Sequence, residues 1–159
     1  MTDADLQVRV ALLEAREEVR AAVAHYCTVN DQITGVEELV AMFTEDAVME
    51  NPAGIHDGIE AIGAYYRAFF EKGVGFARHH TMNQVITMNG PDEARHESYF
   101  LALLGKDGES RIALGRYDDT LVRTGDGWKF KRKVNDVVGM TTVAEGWTNG
   151  FGADLRAVR

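Results

Sequence analysis

Histidine is the side chain that most readily takes or gives a proton near neutral pH, and this sequence has five of them. Two, His80 and His96, fall in stretches that alternate in the way strands do. From Arg78 onward one face carries His80, Met82, Gln84, Ile86 and Met88, and the other His79, Thr81, Asn83, Val85 and Thr87. The more apolar face belongs inside, which predicts that His80 and Met82 point inward. In the next strand Ala94, His96, Ser98, Phe100, Ala102 and Leu104 share a face without Asp, Glu, Lys or Arg, so His96, Ser98 and Phe100 are expected inside as well. A histidine in a dry pocket is a candidate general base, and a buried histidine satisfied by a backbone carbonyl is the competing reading; the residues alone leave both open.

The remaining alternations are less one-sided. Gly115, Tyr117, Asp119 and Leu121 lie opposite Arg116, Asp118, Thr120 and Val122, and Tyr117 is taken as inward. In the last strand Trp128, Phe130, Arg132 and Val134 share a face against Lys129, Lys131, Lys133 and Asn135, which places Arg132 inside and Lys133 outside unless a bulge intervenes. Adjacent strand residues face opposite ways, so His79 and His80 cannot both ligate one ion, and no metal site is expected. No cofactor is expected either. Gly73-Val-Gly75 lacks the strand and third glycine of a dinucleotide loop, and there is no P-loop or nucleophile elbow. The single cysteine, Cys27, excludes an intramolecular disulfide and reads as a small buried hydrophobe.

The elements that must position these groups change character midway. Leu6, Val10 and Leu13, then Val19, Val23 and Tyr26, recur at helical spacing and predict a long helix ending near Asp31 to Thr34. A helix over 36–43 and a short strand over 47–50 follow, and Ile59, Ile62, Tyr65, Tyr66, Phe69 and Phe70 mark a third helix, with one or two of its aromatics, Tyr66 among them, lining a cavity. After residue 78, turn signals at Asn89-Gly90-Pro91-Asp92, Lys106-Asp107-Gly108 and Thr124-Gly125-Asp126-Gly127 divide four long strands in a meander. Helices followed by a mainly antiparallel sheet define an α+β domain whose curved, cone-shaped sheet wraps around the helices.

The 159 residues suit one domain, and neither a linker nor a repeat divides them. With 17 basic and 25 acidic residues the net charge is −8, which disfavours nucleic acid as a partner. No run approaches the about 20 apolar residues of a membrane span, and the N-terminal segment lacks the layout of a signal peptide, so a cytoplasmic location is expected.

Several segments resemble, in one consistent order over about residues 6–138, the SnoaL-like branch of the nuclear-transport-factor-2-like superfamily. They are Tyr26-Cys-Thr-Val-Asn-Asp31, Leu39-Val-Ala-Met-Phe-Thr-Glu-Asp-Ala-Val48, His80-Thr-Met-Asn83, Asp92-Glu-Ala94, Gly115-Arg-Tyr117 and Gly127-Trp-Lys-Phe130. The resemblance implies the α+β cone just described, a single SnoaL-like domain over 1–159 with a tail from 139, and a homo-oligomer, dimer or trimer. It also resembles the pattern shared by scytalone dehydratase and hexachlorocyclohexane dehydrochlorinase, in which an aspartate ending the first helix orients a histidine on the first long strand. Carried over, that implies Asp31 and His80 as the dyad, His96 as a second polar catalytic group, and Tyr26 and Tyr117 as pocket residues. Tyr26 and Asp31 lie five residues apart, about 140° around a helix, and would flank a pocket rather than share a face.

The expectation is a cofactor-independent lyase or isomerase, of dehydratase or elimination type. It would act on a small, largely apolar, possibly cyclic substrate, with His80, Asp31 and His96 catalytic and Tyr26, Tyr117, Met82, Ser98, Phe100 and Tyr66 binding. The alternative is a non-catalytic small-molecule-binding or accessory protein with the same pocket. Gly146-Trp147 and Gly150-Phe151-Gly152 in the tail are expected to cover the cavity or dock on a neighbouring subunit, as is the outward face with Tyr99, Leu101 and Leu103.

Overall fold

The computed structural model describes residues 2–147, so Phe151 and its neighbours in the tail lie outside the described residues. Helix α1 (Asp3–Gln32) starts at a capping box in which Thr2 and Asp5 satisfy each other's backbone N–H groups. It buries Ala15, Val19, Val23, Tyr26, Cys27, Val29 and Asn30 along one face. Leu6, Val10 and Leu13, expected on that face, are exposed, and the buried stripe begins only at Ala15. Helix α2 (Val36–Ala41) is shorter than expected, and strand β1 (Phe43–Asn51) is longer. A short strand that alternation did not reveal, β2 (Gly54–Asp57), then leads into α3 (Ile59–Phe70).

Four long strands complete the chain: β3 (Phe76–Met88), β4 (Glu93–Lys106), β5 (Glu109–Thr124) and β6 (Gly127–Thr142). The order across the sheet is β2-β1-β6-β5-β4-β3. Every pairing is antiparallel except that of β1 with β6. This is the α+β, mainly antiparallel arrangement expected, built as an open mixed sheet. The core lies between its inner face and the helices, with Val19, Val23, Leu39, Phe43, Met49, Ile62, Leu121 and Phe130 fully enclosed.

Strand β3 is an edge of the sheet, and α1 covers it: the Arg16 guanidinium donates to the Ile86 carbonyl, and Asp31 accepts the His79 backbone N–H. Gly115 is needed in β5. A Cβ there would stand 2.3 Å from the Asp136 carbonyl oxygen and 2.4 Å from the Phe100 ring, so glycine is what lets Phe100 stack on Tyr117 with centroids 4.6 Å apart.

Of the sheet's register shifts, two decide the inward faces at the expected site residues. In β3 one extra residue sits between the pairs Met82↔Tyr99 and Val85↔Glu97, where Asn83 adopts a left-handed φ of 53°. Before it Ala77, His79 and Thr81 face the interior, and after it Ile86 and Met88 do. In β6 Lys131 is the extra residue, because Leu121 pairs with Phe130 but Thr120 pairs with Arg132. The phase therefore slips, Lys133 goes inside, and Arg132 goes outside to meet Glu50 at 3.2 Å.

Candidate functional site

The helices and sheet enclose a cavity of about 390 Å³. Its wall is mostly apolar and aromatic, with Tyr65, Tyr66, Phe69 and Phe70 from α3, Phe100, Ala102 and Leu104 from β4, and Tyr26 from α1. Polar groups enter at Asn30, Asn51, His79, Tyr117 and Asn135. A larger hollow of about 840 Å³ lies on the outer face of the sheet. There Arg95 pairs with Asp118 and Arg116 with Asp136, which leaves a solvated, charge-neutralised surface rather than a dry site.

His79, not His80, is the histidine that Asp31 holds. Its Nδ1 lies 2.7 Å from Asp31 Oδ1, and its backbone N–H lies 3.1 Å from each carboxylate oxygen. The two side chains are 15% and 12% exposed. A carboxylate can only accept, so Nδ1 carries a proton, and in the neutral ring Nε2 is the nitrogen with the lone pair. That nitrogen has no hydrogen-bond partner among the described residues, on a ring that lines the cavity. The expected partner, His80, sits on the other face of β3 opposite Leu101 and is exposed. Met82, expected in the pocket, is 41% exposed on that same outer face. Both misplacements come from the bulge at Asn83, because the alternation read backward from Ile86 is out of phase before it.

His96 is inside as expected but does not line the cavity: it is wholly buried, with Nδ1 3.1 Å from Asp119 Oδ2 and Nε2 without a partner. Ser98 is likewise buried, its Oγ unpartnered, and is not among the cavity's lining residues. Phe100, Tyr26, Tyr66 and Tyr117 do line it. The Tyr26 and Tyr66 hydroxyls are 2.8 Å apart, and Tyr66 also donates to Met49 Sδ at 3.3 Å. Burial holds the Tyr26, Tyr66 and Tyr117 phenols well above the ordinary tyrosine range, so all three stay protonated at neutral pH. The alternation also missed Asn135, which faces the cavity with a buried, unpartnered Oδ1 because the slip at Lys131 turns it inward.

Among the described residues no group of three or more His, Cys, Asp or Glu gathers as a metal site, and no helix is long and apolar enough to cross a membrane.

The chain belongs to the SnoaL-like domain family, whose model matches residues 11–134. Solved structures agree in fold. A candidate scytalone dehydratase from Novosphingobium aromaticivorans is 26% identical, with a TM-score of 0.77 over 84% of this chain and 90% of that one. A protein from the same organism, described as NTF2-like with a cystatin-like fold, is 24% identical, with a TM-score of 0.69 over 99% and 97%. Hexachlorocyclohexane dehydrochlorinase LinA-type3 from Novosphingobium barchaimii is 16% identical, with a TM-score of 0.74 over 86% and 94%. No curated protein matches the sequence.

Proposed function

We propose that this protein is a cofactor-independent lyase of elimination type, acting on a small, largely apolar substrate, with His79 as the general base and Asp31 as its orienting partner. The observation that carries the reading is the bond from His79 Nδ1 to Asp31 beside a free Nε2 on the wall of an apolar cavity. Asp31 fixes the tautomer and stabilises the imidazolium that forms, and it need not titrate. In the step itself Nε2 takes a carbon-bound proton. The C–H electron pair becomes the new π bond while the leaving group departs from the neighbouring carbon with its own pair. The imidazolium then returns its proton to solvent or to the leaving group. Tyr117, whose hydroxyl meets no partner among the described residues, is the group suited to donate to a substrate oxygen. Membership of the SnoaL-like family and the fold shared with a candidate scytalone dehydratase and a dehydrochlorinase support the reaction class.

The test is a panel of small cyclic alcohols, ketones and haloalkanes in deuterated buffer, followed by NMR for elimination and for deuterium entering the acidic C–H position. The intact protein and His80→Ala should act alike, and His79→Ala should be inactive. Equal activity in His79→Ala would overturn the assignment.

A further inference from the structure

Behind the cavity wall lies a charged cluster that the dyad does not use. Lys133 Nζ is fully buried and bonds both oxygens of Asp119, at 3.3 and 3.2 Å. It also stands over three ring faces, 3.9 Å from the Tyr117 centroid, 4.1 Å from Tyr26 and 4.6 Å from Phe130. Tyr117 and Tyr26 are cavity walls. Asp119 also accepts from His96 Nδ1, while His96 Nε2 is enclosed without a partner. One carboxylate is thus shared by the Lys133 amine and the His96 ring in a fully enclosed cluster. Apolar side chains of the same volume would serve packing as well or better, so stability alone does not account for it.

The hydroxyls give the cluster a direction. The Tyr26 hydroxyl is held by Tyr66 at 2.8 Å, and Tyr66 also meets Met49 Sδ, so both phenols are engaged within the wall. Of the two phenols against Lys133, Tyr117 alone has a hydroxyl that meets no partner among the described residues, and its ring is the one the ammonium approaches most closely. A cation on the face of a phenol draws density from the ring and strengthens the O–H as a donor. We propose that Lys133 is a positioning residue that makes the cavity select ligands bearing an anionic or anion-developing oxygen, a phenolate or enolate, through Tyr117. Asp119 from β5 bonds Lys133 and His96 from β4 meets that same carboxylate, while Cys27 on α1 feels Lys133, Asp31 and Asp119 together, and each carboxylate already holds a donor of its own. The inference rests on the cavity described above and is independent of His79 acting as the base.

The probes are 4-nitrophenolate and the neutral 4-nitroanisole, their binding followed by absorbance and calorimetry at a pH where the phenol is ionised in solution. The intact protein should bind the phenolate at least about tenfold more tightly than the ether. Lys133→Met with Asp119→Leu removes the charges as a pair and should bring that ratio to about one while leaving ether binding unchanged. Tyr117→Phe keeps a ring over the ammonium and should also lose most of the preference. The proposal is overturned if the intact protein shows no preference, or if the preference survives the double substitution. Should the double variant not melt cooperatively, retention of the preference in Tyr117→Phe overturns it instead. His79→Ala separates the two ideas, since it should lose turnover and keep the preference.

Discussion

The molecule contains two histidine–aspartate pairs that are nearly alike in bonding and opposite in setting. His79 and Asp31 meet at the junction of α1 with the free edge of β3, are slightly exposed, and leave one ring nitrogen on a cavity wall. His96 and Asp119 meet in the middle of the sheet, are fully enclosed, and share their carboxylate with Lys133. The contact itself therefore does not make a base. A base also needs a lone pair that a substrate can reach and a charge that can appear without stranding another. The first pair leaves its second ring nitrogen unbonded on a ring that lines the cavity, as the proposed base requires, whereas the second is sealed off and shares its carboxylate with Lys133.

Exchanging each histidine is the strongest test of that contrast. His79→Ala should lower turnover by about 10²- to 10⁴-fold while changing stability by no more than about 1 kcal/mol. His96→Ala should do the reverse, with a stability loss of about 1–3 kcal/mol from the Asp119 oxygen left short of a donor. Steady-state kinetics and chemical denaturation on the same samples read both. A variant of His96 that kept stability and lost turnover would break the comparison.

The next effect concerns the enclosed pair alone. Lys133→Met leaves a buried carboxylate with only the His96 N–H, and should cost about 3–5 kcal/mol in denaturant unfolding. Adding Asp119→Leu should return most of that loss. If the single and double variants were equally unstable, the ammonium would be acting mainly through its packing against Tyr26, Tyr117 and Phe130.

A smaller effect reads the space between the two pairs. Cys27 feels Lys133, Asp31 and Asp119 at once, and burial pushes its thiol from an ordinary 9.0 up to about 11. A group whose pKa is raised on folding stabilises fully below its unfolded value and ceases to do so as pH rises through the folded one, because the unfolded chain sheds its proton first. Unfolding free energy should therefore fall between about pH 9 and 11, by about 2–3 kcal/mol in all from this group. Cys27→Ala should flatten the part of that decline below pH 10, where tyrosines of the unfolded chain begin to titrate. An unchanged slope would show that the thiol is not the group responsible.

Element order and class were legible because the period of the apolar residues changes from helical to alternating and the hairpin turns carry their Asn, Asp and Gly. The inward face of β4 was legible too, since no bulge interrupts it, whereas in β5 both faces mix charge with apolar groups and Tyr117 had to be chosen between them. The reversed faces at the site share one cause, while His96 and Ser98 keep their expected face and lie behind the cavity wall. A single inserted residue reverses every side chain on one side of it, and these two bulges lie beside the residues that matter, Asn83 just after His79 and His80, and Lys131 just before Lys133. At Asn83 a signal existed, because asparagine tolerates the left-handed backbone that it adopts there. At Lys131-Arg132-Lys133 none did, because three successive basic residues contain no apolar side chain to show which one faces inside. Asp31 itself was suggested by family resemblance. Periodicity marks which face of a helix is buried, but not which strand residue a carboxylate at its end will meet.

The smallest expected effect is the sharpest check on that account. His80 is the immediate neighbour of His79 and the residue that uninterrupted alternation would choose, yet it lies on the outer face of the sheet, exposed. His80→Ala should change stability by less than about 0.5 kcal/mol and leave turnover within about twofold of the unaltered protein. Deleting the bulge should leave the choice unchanged. Removing Asn83 puts six residues between His79 and Ile86, so an uninterrupted two-residue period through β3 keeps both on the inner face and keeps His79 beside Asp31. Turnover should then stay close to that of the unaltered protein. If the deletion variant folded but lost activity as far as His79→Ala does, the phase of β3 would not be what selects the histidine.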